Sequence, residues 1–265
     1  MENHVVPTEP IVHESADLVL RTALDVGENL LKNGAAVHRA EDTIERICRA
    51  LGASHVEVFC IPSLVIATMR MKNGDYASQT RRIYANTNHF ARIDRLNSIS
   101  RSLCNGSMTI DEAQEEIRRA NRMEVYPPWL RILGSLLISS GFCVFFGGSL
   151  LDAVAAGIVA FAISVLSLLL PKTVNALSYT LIASLLAGIG SILLWKAGLA
   201  QHYDKVMIGT IMLLIPGLAF GTSIRDLLCG DTLAGLLQFI QSLLKAVIIA
   251  FGYSIAIYLL RSLIG

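Results

Sequence analysis

The stretch Pro127-Pro128-Trp129-Leu130-Arg131-Ile132-Leu133-Gly134-Ser135-Leu136-Leu137-Ile138-Ser139-Ser140-Gly141-Phe142-Cys143-Val144-Phe145-Phe146 decides the fold. Two prolines close a charged, amphipathic segment, and an apolar run follows that can cross a bilayer, for which roughly 20 helical residues suffice. Similar runs fill the remaining chain and account for its 53% hydrophobic composition and mean hydropathy of +0.55. The reading is a soluble α+β domain over residues 1–128, then an all-α multi-pass membrane domain over 129–265 with about five transmembrane helices. Spans are expected near residues 129–148, 152–170, 174–195, 205–220 and 232–260, with breaks at Gly147-Gly148, Pro171 and Pro216-Gly217. Trp129 stands where an interfacial aromatic ring is expected.

Charge follows the same division. Of 22 basic and 21 acidic residues, seven and four lie beyond residue 128, leaving 15 and 17 before it. That near-neutral balance lacks the basic face that phosphates require, which excludes nucleic acid as a partner. Arg118, Arg119, Arg122 and Arg131 beside the first span place the N-terminal domain in the cytoplasm and the rest in the plasma membrane. Lys172 and Arg225 then fall on the cytosolic side, and Lys196 and Lys205 on the other. The five cysteines form no CxxC pair, as expected of reduced thiols used as small apolar residues. The opening MENHVVPTEP lacks a basic segment followed by an apolar one, so no cleavable signal is expected.

Before residue 128 the periodicity predicts helices over about 14–32 and 36–51, stopped by Asn33-Gly34 and Gly52. The pattern then turns extended at His55–Phe59 and Leu64–Met69, with a break at Pro62-Ser63. Lys72-Asn73-Gly74-Asp75 is a turn signal, and a third strand is expected at Arg81–Tyr84. Helices near 89–104 and 110–120 follow, the second opened by Thr109 with Glu112 three residues on.

The chemistry that stands out is charge inside apolar sequence. Asp226 and Asp231 follow the Pro216-Gly217 break, with Arg225, Thr222 and Ser223 beside them. A proline removes a helical hydrogen bond and frees backbone groups for a polar substrate. An aspartate there can exchange a proton or hold an amine, and Arg225 can pair with a carboxylate. The same residues would also suit a water-facing loop or interfacial helix over 221–231. Lys245 lies in the last span with Gln238 and Gln241 on roughly its face, a polar stripe for a pathway or subunit interface unless the ammonium snorkels to the surface. Asn175 could contribute to a polar route or simply cap a helix, and Asp152 reads as a helix-start residue. Asp42 and Arg46 sit four apart, the spacing of a helix ion pair.

No P-loop, no G-x-S-x-G elbow and no metal-like spacing of His38, His55 or His89 with cysteines occurs, so no cofactor, metal or enzymatic activity is expected. Five spans with no internal duplication suggest either a symmetric homo-oligomer or a second polypeptide completing the pathway.

Three segments carry a resemblance: Gly34-Ala35-Ala36-Val37-His38-Arg39-Ala40-Glu41-Asp42-Thr43-Ile44-Glu45-Arg46, the extended run Val56–Ser63 containing Pro62, and Ile215-Pro216-Gly217 with Arg225–Asp231. In that order they resemble the threonine/serine exporter family over nearly the whole chain. The resemblance implies efflux of a small polar substrate, threonine, serine or a dicarboxylate such as succinate, by a secondary transporter with a cytosolic N-terminal domain. It makes Gly34, Arg39 and Glu41 the recurrent motif, with Arg46 and Pro62 in the matching segments, and suggests docking of that domain against a gate. It further resembles the split form, for which a separate, smaller membrane subunit is expected. Proton coupling through Asp226 and Asp231 is the expected drive, and a membrane-anchored regulatory or scaffolding module is the alternative.

Overall fold

The computed structural model describes residues 15–84, 87–123, 126–170 and 174–264, so the expected break at Pro171, the charge of Lys172 and the N-terminal segment before Ser15 lie outside the described residues. The chain divides into two compact units, Met1–Met123 with Asp226–Ala234, and Glu124–Arg225 with Gly235–Gly265.

In the first unit, Ser15 opens α1 (Ala16–Lys32) by accepting the Leu18 N–H at 3.3 Å, a cap that typically contributes about 1 kcal/mol. The 3.6-residue period places Val19, Leu20, Ala23, Leu24 and Leu30 out of contact with solvent. The helix closes as the sequence predicts: Gly34 takes φ 91°, its N–H reaches the Leu31 carbonyl and the Ala35 N–H reaches that of Leu30. Any side chain at Gly34 would be both strained and driven onto Asn88. In α2 (Val37–Ala50), Ala40, Ile44, Ile47 and Cys48 form the buried stripe. The ion pair at four-residue spacing is Glu45–Arg49 at 2.6 Å rather than Asp42–Arg46, whose side chains are exposed and do not meet.

Three antiparallel strands follow in chain order, β1 (Ala53–Ile61), β2 (Leu64–Met71) and β3 (Tyr76–Arg82). Pro62-Ser63 is the two-residue link between the paired residues Ile61 and Leu64. Alternation along β2 buries Val65, Ala67, Met69 and Met71 in the core. The third strand begins five residues earlier than expected and ends before Ile83. Its residues YASQTRR carry little apolar alternation because it is an edge strand with only Ala77 fully buried. Helices α3 (Phe90–Cys104) and α4 (Ile110–Arg122) complete the core through Leu96, Ile99, Leu103, Ala113 and Ile117. The Thr109–Glu112 capping box forms in both directions.

The second unit is built from apolar helices: α5 (Pro128–Phe145), α6 (Leu150–Leu169), α7 (Ala176–Lys196), α8 (Tyr203–Leu214), α9 (Gly217–Leu228) and α10 (Thr232–Leu259). Four of them are long and apolar enough to cross a membrane, and α8 with α9 make a fifth if the pair counts as one bent span. The expected fourth span over 205–220 is therefore two helices set at 54°. Pro216 explains the bend, because it disfavours helical geometry at Ile215, which takes φ −61° and ψ 130°. Small residues let α7 and α10 approach closely: a methyl group added at Gly252 would overlap Ser184, and one at Gly188 would overlap Ala256. Beside that contact the Tyr253 hydroxyl shares a 2.8 Å hydrogen bond with Thr210.

Candidate functional site

Asp226 and Asp231 are brought together by the way α9 ends. Gly230 adopts φ 98°, its N–H bonds the Leu227 carbonyl, and the Asp231 N–H reaches back to the Asp226 carbonyl at 3.0 Å. This Schellman closure turns the chain so that both aspartates face one place. Both belong to the first unit, where Ala234 joins the apolar core. His38 of α2 lies against them, its Nδ1 3.6 Å from Asp231 Oδ2, and one ligand atom from each of His38, Asp226 and Asp231 falls within 4.8 Å of the others. Asp226 is buried, Asp231 and His38 partly so. Spacing along the sequence gave His38 no metal-like partner, yet folding supplies two oxygen donors to it.

Glu41, one turn after His38, faces the same cluster and accepts the Cys60 N–H at 2.6 Å. Burial holds its carboxyl above the usual 4.5, the Cys60 bond opposes this, and the nearby Asp231 and Asp42 push it further up. The cluster thus gathers one imidazole and three carboxyl groups. Burial, helped by Glu41 and Asp231, also lifts the Cys60 thiol far above its usual range, which leaves it unreactive. Because the folded pKa of Glu41 is raised, its contribution to stability is complete below about pH 4.5 and is lost as pH climbs through the folded value. Glu41→Gln should flatten that part of the profile. Thermal midpoints of the detergent-solubilised protein from pH 4 to 8 check this, and parallel curves for both proteins would contradict it.

The remaining residues of the recurrent motif separate. Arg39 and Arg46 lie on the exposed face of α2 and line an open concavity of about 520 Å³ with Asp42, Glu45, Arg49 and Asn97, away from Glu41. Gly34 serves the α1 closure and Pro62 the β1–β2 link.

In the second unit, the break leaves Gly217 N–H on the Ile215 carbonyl and Phe220 N–H on that of Pro216. Thr222 donates to the Leu218 and Ala219 carbonyls, while the buried Ser223 donates to that of Phe220. Gln238 of α10 donates to the Ala219 carbonyl at 3.2 Å and to the Thr222 hydroxyl at 2.6 Å, fastening α10 beside the break. The polar line along α10 runs Gln238, Gln241, Ser242 and Lys245, of which Gln241 is exposed and Ser242 buried. In the sequence Ser242, a lone serine in an apolar run, carries no signal of its own. Lys245 is half-buried and forms no ion pair among the described residues. Arg225 is exposed on α9, and Asn175 caps α7 by accepting the Leu177 N–H at 3.0 Å.

The chain matches the family model ThrE, described as "Putative threonine/serine exporter", over residues 21–260. No curated protein and no solved structure gives a match. With four or five apolar helices able to span a bilayer, this is a multi-pass membrane protein, and it belongs to the threonine/serine exporter family.

Proposed function

We propose that the chain is one subunit of a secondary exporter of small polar metabolites, threonine and serine or a dicarboxylate such as succinate, driven by proton exchange. The observation that carries this reading is the helix α9, which begins at the Pro216 break among the membrane helices and ends in the Asp226–Asp231 closure beside His38 and Glu41. A broken helix frees backbone groups where substrate can pass, and a group of coupled acids at the helix end can load and release a proton. The fastening of Thr222 and Ala219 by Gln238 links the break to α10, whose Lys245 adds a polar group to the route. In this reading the N-terminal domain is cytoplasmic, the helices lie in the plasma membrane, and a separate, smaller membrane subunit completes the pathway. The absence of internal duplication in the sequence supports that last element.

Efflux of labelled threonine, serine and succinate from loaded proteoliposomes, with this chain alone and with its smaller partner, tests the proposal. Selective flux that needs both chains is the expected result. No flux of any of the three, with the pair correctly inserted and associated, would instead favour a regulatory or scaffolding module.

A further inference from the structure

The ends of three membrane helices enclose a polar cavity at one boundary of the bilayer. Helix α5 starts at Pro128, α6 runs back to Leu169 and α7 leaves again from Ala176, so the start of α5, the end of α6 and the start of α7 share one side of the membrane. Arg131 and Ser135 of α5, Ser164 and Ser167 of α6 and Thr180 of α7 line a cavity of about 440 Å³ there, all within about two turns of those helix ends. Arg131 follows the first residue of α5 by roughly 5 Å along the axis. The headgroup layer is about as thick, roughly 5 Å on each side of the hydrocarbon. The exposed Trp129 beside it is the kind of ring that settles at that level.

Polar and apolar surfaces meet at Arg131. Ser164 and Thr180 are buried, and each gives its proton to a carbonyl of its own helix, Ser164 to Ala160 at 2.8 Å and Thr180 to Ala176 at 2.8 Å. What these hydroxyls offer the cavity is therefore lone pairs. The Arg131 guanidinium offers donors alone, in a planar fork that fits two phosphate oxygens. A smaller cavity shares Arg131, Ser135, Ser164 and Ser167 and is bounded by Ile132 and by Leu168, which is exposed on α6. On a membrane span an exposed leucine meets acyl chains.

We propose that this cavity holds the headgroup of a bilayer phospholipid that carries a primary ammonium, phosphatidylethanolamine. Arg131 binds the phosphodiester, the oxygens of Ser164 and Thr180 accept from the ammonium, and the acyl chains leave past Leu168. A choline headgroup brings the same phosphate but has no N–H for these oxygens, so the selection falls on the ammonium. A lipid held here ties the ends of α5, α6 and α7 together. It requires only that these helices cross the bilayer, whatever they transport.

The test titrates the full chain, purified in detergent, with phosphatidylethanolamine or phosphatidylcholine of identical acyl chains and reads bound lipid by native mass spectrometry. The ethanolamine lipid should bind roughly 10-fold more tightly, the scale of a hydrogen bond to a charged group. Arg131→Gln should weaken both lipids about 10-fold and keep their ratio, because it removes the phosphate contact that they share, and Arg131→Lys should recover part of the loss. Ser164→Ala combined with Thr180→Val should bring the ratio to about one while binding of the choline lipid stays as it was. Equal binding of the two lipids by the unmodified protein would overturn the proposal without any variant, as would undiminished binding of the ethanolamine lipid by Arg131→Gln. Glycerophosphoethanolamine, the same headgroup without chains, should fail to displace bound lipid at equal concentration. Displacement by it would overturn the lipid assignment in favour of a soluble phosphodiester.

Discussion

Asp231→Asn is expected to abolish gradient-driven threonine accumulation. The substitution preserves size, and the Asp231 backbone N–H that closes α9 on the Asp226 carbonyl is unaffected, so the local fold should persist. What disappears is the carboxylate 3.6 Å from His38 and part of the charge that holds Glu41 above its ordinary range. With one proton exchanged per substrate, one unit of pH gradient sustains about a tenfold substrate ratio, equivalent to roughly 1.4 kcal/mol. The variant should equilibrate near a ratio of one. Removing the Asp231 charge should also let Glu41 titrate closer to 4.5, shifting any residual pH dependence downward. Flux in the variant with the original pH dependence would take Asp231 out of the coupling path.

Asp152→Ala should produce the largest loss of stability. Asp152 is fully buried and its two oxygens accept from Ser149 N and Oγ, each at 2.9 Å, and from Gln201 N at 2.6 Å and His202 N at 2.9 Å. The imidazole of His202 lies 3.1 Å away as well. One carboxylate therefore caps α6 and fixes the turn that enters α8. Deleting it leaves several donors without their acceptor, for which about 3 kcal/mol is expected. The figure stays at the low end of buried-pair losses because Gln201 and His202 are exposed and can turn toward water. The corresponding fall in thermal midpoint is on the order of 10 °C. Asp152→Asn keeps one acceptor and should fall between the two. A midpoint within about 2 °C of the parent would show that the hub is dispensable.

The features read correctly from sequence are those whose determinants are local. The Gly34 closure, the Thr109–Glu112 box and the proline break each depend on neighbours within a turn or two, and each is found. The third strand lies earlier than the sequence predicts because YASQTRR lacks the apolar alternation that marks a strand, its pairing being supplied by β2. Asp152 was legible as a helix start but not as a hub, since Gln201 and His202 reach it only through the fold. His38 has no partner at metal-like spacing in the sequence, and its neighbours Asp226 and Asp231 come from a segment far along the chain. Lys245 and Asn175 stand out in the sequence for polarity alone. The structure gives Asn175 a capping role and leaves Lys245 on a line with Ser242 that the sequence did not reveal.

The most direct test of the coupling is to record internal pH with a trapped dye while threonine leaves proteoliposomes containing this chain and the proposed smaller subunit. Proton movement into the vesicles that starts with threonine efflux and vanishes in Asp231→Asn is the predicted result. Threonine efflux without any proton movement, unchanged by the same substitution, would contradict it.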